Sequence, residues 1–144
     1  MFASRRVVIT GEPFVNQRQV TFDGDNDFLE ITDTDITGAF TIATWTEHTD
    51  ASNTTSNHGL IAGKTDTTDV ISLDMGGNRV IVRVNNSAKT FYDPSAFSAG
   101  MSNTGNWWHI VITRDGSDNM NCYFNGLVSA TGALSASGDF NFYQ

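Results

Sequence analysis

The chain holds one cysteine, Cys122, among its 144 residues, so no disulfide can form within it and its core must rest on packing. Cys122 sits in a hydrophobic strand pattern, which marks it as a small core residue rather than a nucleophile. Positive charge is scarce as well. Lys and Arg number 8 against 16 Asp and Glu, a formal net charge of −8. Such a chain repels phosphate backbones and anionic lipid, so neither nucleic acid nor a membrane surface is expected as a partner. No apolar run approaches the ~18 residues of a membrane span. Met1 to Ile9 carries two arginines but no apolar segment of signal-peptide length. No membrane insertion and no signal peptide are expected. Helical periodicity is missing too: no stripe with a 3.6-residue period lasts three turns.

What is present is polar, turn-rich and periodic at two. Charged residues make up only 17% of the chain, and Thr, Ser, Asn and Gly take their place. That balance suits many short strands joined by many turns. Residues 1–19 read as an N-terminal arm, with Pro13 and the polar run Asn16 to Gln19 arguing against a core strand. Val20-Thr21-Phe22 and Phe28 to Ile31 flank an Asp/Gly/Asn turn and predict a hairpin. Asp33 to Gly38 reads as a turn. Phe40 to Trp45 alternates, with Phe40, Ile42 and Thr44 on one face and Thr41, Ala43 and Trp45 on the other. Leu60 to Lys64 and Val70 to Met75 are strands, and Gly76-Gly77-Asn78 is a hairpin turn. Arg79 to Val84 sets Arg79, Ile81 and Arg83 on a wet face against Val80, Val82 and Val84. Phe91 to Asn106 reads as a long connection. Trp107 to Arg114 and Asn121 to Phe124 are strands, and Asn125-Gly126 is a type I′ hairpin signal. Phe140 to Tyr143 begins a further strand. The expected core includes Phe22, Phe40, Ile42, Trp45, Val80, Val82 and Ile112.

These pieces, in this order, resemble the laminin-G-like members of the concanavalin A-like jelly-roll (lectin/glucanase) family. The resemblance runs over residues 20–143. It rests on Val20 to Gly24 with Phe28 to Ile31, on Phe40 to Trp45, on Leu60 to Lys64, and on Trp107 to Gly116 followed by Tyr123 to Gly126. It implies an all-β fold, a two-sheet antiparallel sandwich, with residues 1–19 as an arm and 20–144 as the jelly-roll domain. Family members usually continue with a last strand beside the first. The sequence stops at Gln144, so the expectation is twofold: either it is a fragment that continues past Gln144, or the sandwich lacks that strand and another chain completes the sheet at an open edge.

Relatives of this fold include glycoside hydrolases, which place two carboxyl groups about 5–5.5 Å apart. Glu occurs only at 12, 30 and 47, and no strand pairs two acids at an even offset. No catalytic residue, and no enzyme activity, is expected. His48, His58 and His109 are scattered rather than clustered as zinc ligands would be, and His109 falls at a family position that packs structurally. Asp23, Asp25 and Asp27 could offer oxygens to calcium, but Gly24 breaks the calcium-loop pattern, so a plain turn is favoured. Neither metal nor cofactor is expected. Ligand binding in such sandwiches uses flat aromatics. Candidates are Phe91, Tyr92 and Phe97, and whichever of Trp107 and Trp108 faces outward. These are candidates alone, and the sequence assigns no ligand-binding residue.

Two functions remain. One is a non-catalytic adhesion domain displayed on a virion surface, glycan-facing, docked to other chains of its assembly through the arm with Arg5 and Arg6 or through an open sheet edge. Laminin-G-like domains of this kind occur in phage particles. The other is a lectin-like module of a larger secreted protein. Both place the chain at a virion surface or outside the cell, with cell-surface glycans as partners.

Overall fold

A computed structural model describes residues 20–21, 34–47, 57–62, 70–74, 78–84, 87–94 and 105–142. Its contacts divide the chain into two units, Met1–Glu30 and Ile31–Gln144, and every element below belongs to the second. The described elements are all strands: β1 (Thr34–Ile36), β2 (Phe40–Glu47), β3 (Asn57–Ala62), β4 (Val70–Asp74), β5 (Arg79–Val84), β6 (Ser87–Tyr92), β7 (Trp107–Arg114), β8 (Asn119–Phe124), β9 (Leu127–Val128), β10 (Leu134–Ser135) and β11 (Phe140–Phe142).

They form two main antiparallel sheets and one short pair. The five-stranded sheet runs β10-β8-β7-β2, with β9 also on β8; the four-stranded sheet runs β3-β4-β5-β6; β1 pairs with β11. The period-two pattern sorts the side chains. Ile110, Ile112, Met120, Cys122 and Phe124 point inward from one sheet, and Ile71, Val80, Val82, Val84 and Phe91 from the other, into a single buried cluster. Burying each large member contributes about 1.5–3 kcal/mol. The all-β sandwich expected from the sequence is the fold observed.

Local chemistry explains the turns. Asn125 and Gly126 have φ of 48° and 84°, the two positive values that a type I′ turn demands. After β7, an Asp115 carboxylate oxygen accepts from the backbone N–H groups of Ser117 (2.8 Å) and Asn119 (2.9 Å), and the Asn119 side-chain amide donates to the same carboxylate. Those bonds, the Asn119 side chain foremost, hold the Asp115 carboxyl below its ordinary value. At the same end of β7, the buried Arg114 guanidinium donates to Gly38 O at 2.7 Å and to Gly138 O, and lies 4.9 Å from the centre of the Phe40 ring.

Several sequence expectations are corrected. Thr34–Ile36 is a strand rather than a turn, held by its ladder to Phe140–Phe142. Ser87–Tyr92 is a strand, so Phe91 and Tyr92 end β6 instead of starting a connection. Among the described residues β6 is the last strand of its sheet, and Lys89 stands there in register with Val82, a charge that discourages further pairing. Ile81 is buried at 7% exposure, beside the equally buried Ser72 in register with it, so the face read as wet is covered there. Val20 and Thr21 lie in no strand, while Phe22 and Asp23 to Asp27 fall outside the described residues.

Candidate functional site

The outer face of the five-stranded sheet carries the chemistry. Alternation along β2 turns Thr41, Ala43, Trp45 and Glu47 outward, and the register of β7 sets Thr113, Val111, His109 and Trp107 directly opposite them. On β8 the outward positions are Asn121 and Tyr123, in register with Thr113 and Val111, and Val128 of β9 stands beside Tyr123. The face is graded. One end is aromatic, with Trp45, Trp107 and His109. The other is small and polar, with Thr41, Thr113 and Asn121.

Trp45 was expected in the core, and the structure places it outside. It is 61% exposed, and its ring stacks on the imidazole of His109 with centroids 4.7 Å apart and planes 22° apart. The cause is parity: Ile42 points into the sandwich, so Trp45, three residues on, must point out. His109 is indeed packed, yet on the outer face. Its backbone N–H donates to the Asn125 side-chain oxygen at 2.8 Å, and its carbonyl accepts from Asn125 N–H at 2.9 Å. The hairpin turn thus fixes the strand that carries His109, and His109 supports Trp45.

Of the tryptophan pair, Trp107 faces outward at 45% exposure and Trp108 is buried at 4%. Trp107 stands in register with Glu47 and diagonally next to Trp45. Phe91, one of the sequence candidates, is fully buried, and Phe97 lies outside the described residues. Tyr92 is 45% exposed, but it belongs to the four-stranded sheet, where the Arg79 guanidinium carbon lies 5.9 Å from its ring centre. The structure therefore gathers Trp107 with Trp45 and His109, two residues that the sequence did not offer as ligand contacts. The alternation of Phe40 to Trp45 held the signal for Trp45, since a strand cannot bury both Ile42 and Trp45 in one core.

Other places offer less. A cavity of about 200 Å³ lies between the sheets, lined by Ile42, Ala43, Thr44, Leu60, Ile61, Ile71, Ile110 and Ile112. A lining so short of polar groups cannot orient a polar ligand. Among the described residues no three His, Cys, Asp or Glu side chains gather as a metal site would require. His48 and the acids Glu12, Glu30 and Asp50 lie outside the described residues. Cys122 is buried, and burial pushes its thiol up to about 12.

Comparison with known proteins bears on this geometry. Residues 23–143 match the profile of a laminin-G type family described as the concanavalin A-like lectin/glucanases superfamily. Neither the curated proteins nor the solved structures yield a match.

Proposed function

The chain belongs to the concanavalin A-like lectin/glucanases superfamily, and on that footing we propose that it is a non-catalytic binding domain whose five-stranded sheet presents its aromatic outer face to glycans. The observation that carries the reading is the exposed Trp45 ring stacked on His109, with Trp107 beside it on the same face. Leaving an indole in water forgoes about 1.5–3 kcal/mol of burial, so two neighbouring exposed indoles on an ordered sheet point to a partner that covers them. A sugar ring suits them. Its C–H face lies flat on an indole, and its hydroxyls reach the polar atoms around the rings, here Glu47, His109 and the Thr and Asn side chains further along. Strand residues hold such groups more firmly than loop residues do.

The setting we propose is an exposed one, at a virion surface or outside a cell, where the acidic chain stays soluble. A glycan array probed with the full chain tests the reading. Binding that falls with Trp45→Ala supports it. An array with no bound glycan would end it.

A further inference from the structure

Glu47 closes β2 on the outer face, half-buried and in register with Trp107. No Lys or Arg shares that face among the described residues of β2, β7, β8, β9 and β10. The described cations stand elsewhere: Arg79, Arg83 and Lys89 on the four-stranded sheet, and Arg114 inside the sandwich. A half-buried carboxylate accepts hydrogen bonds at two oxygens and donates none. Beside an aromatic platform, a ligand's hydroxyl groups can satisfy it, whereas a ligand's sulfate or carboxylate would lie against like charge, with no Lys or Arg among the described residues of that face to offset it.

We propose that Glu47 is the specificity residue of this face: it accepts hydroxyl donors from uncharged glycans stacked on Trp45 and Trp107, and it turns away glycans bearing sulfate or carboxylate groups. The inference rests on the glycan-binding reading above. It differs from that reading in what it forbids, since an aromatic platform alone is indifferent to ligand charge.

The test uses the full chain and its Glu47→Gln and Glu47→Lys variants against neutral oligosaccharides and their sulfated and uronic-acid counterparts of equal length. The wild type should bind the neutral members about tenfold or more tighter than the acidic ones. Glu47→Gln should shrink that preference to within about threefold, and Glu47→Lys should reverse it, as a difference set by charge requires. Equal melting temperatures for the three proteins would show that the sheet is intact. Glycan binding with no charge preference, or a preference that survives both substitutions, overturns the role of Glu47 and leaves the platform standing. Absence of binding to every oligosaccharide, neutral and acidic, sinks both.

Discussion

The Ser129 hydroxyl donates to the Tyr92 carbonyl at 2.8 Å, and so joins the segment after β9 to the end of β6. Tyr92 ends a strand of the four-stranded sheet and Ser129 directly follows β9 of the five-stranded sheet, and the link is reinforced on both sides. Ala130 N–H donates to the same Tyr92 carbonyl at 3.1 Å, and Tyr92 N–H donates to the Thr131 hydroxyl at 3.1 Å. The Ser129 oxygen also accepts from Thr131 N–H at 3.1 Å. Ser129 is 3% exposed, so water does not readily replace what it provides.

Ser129→Ala should therefore destabilise the domain by about 1–3 kcal/mol, the cost of leaving buried polar groups short of a partner. Urea unfolding reads this as a lower midpoint at an unchanged slope. An unchanged midpoint would mean that the neighbouring bonds hold the two sheets without it.

The three tryptophans should separate cleanly in stability. Trp45→Ala and Trp107→Ala remove exposed rings, and each should cost no more than about 1.5 kcal/mol, the larger share for Trp45, which loses its stacking on His109. Trp108→Ala opens the core and should cost about 3–5 kcal/mol. Thermal melts of the three variants check the order. A Trp45→Ala variant as damaged as Trp108→Ala would mean that the outer face is covered by the protein itself.

That contrast shows where sequence reasoning stops. Alternation from Phe40 to Trp45 assigns the side chains to two faces, and the structure keeps that division. Alternation does not say which face meets the second sheet, because only the opposing strands decide it; Ile42 and Trp45 cannot both be core, and it is Ile42 that shares the space between the sheets with Leu60, Ile61 and Ile71. Turns were more readable, because their chemistry is local. Asn125-Gly126 specifies its own positive φ values wherever it occurs. Ser87 to Thr90 carries no strand signal of its own, with three small polar or apolar residues and a lysine, and becomes β6 through pairing with β5. The outer-face site was hidden for the same reason: Glu47, Trp107, Trp45 and His109 are joined by register between β2 and β7, some sixty residues apart.

Arg114 offers a different test. Its buried guanidinium fastens Gly38, before β2, to Gly138, before β11, and covers the Phe40 ring, which itself meets Phe140 edge-on at 6.1 Å. Arg114→Lys keeps a charge but loses the planar fork, so it cannot reach both carbonyls in the same way. Both Arg114→Lys and Arg114→Ala should destabilise by about 2–5 kcal/mol. Hydrogen exchange should show the loss first at Thr34–Ile36 and Phe140–Phe142, the three-residue pair that lies beside the two glycines Arg114 holds. Uniform loss across both main sheets, with no early opening of this pair, would contradict a local fastening role.

Cys122 makes the last prediction, and it runs against pH. Burial raises its thiol from 9.0 to about 12 in the folded chain, because the ionised form would sit in the apolar core among the inward side chains of β7 and β8. Below about pH 9 the thiol is protonated both folded and unfolded, so it adds no pH dependence there. Between about 9 and 12 the unfolded chain loses the proton while the folded chain keeps it, so the unfolded state gains and stability falls with rising pH. Cys122→Ala removes this particular loss, at the expense of a small cavity. Unfolding midpoints measured from pH 8 to pH 11 should thus decline less steeply for Cys122→Ala than for the wild type. The same burial should keep the native thiol unreactive toward a thiol-specific probe at pH 8 until denaturant opens the sandwich. Rapid labelling of the folded chain, or parallel pH profiles for the two proteins, would show that Cys122 is not sealed between the sheets.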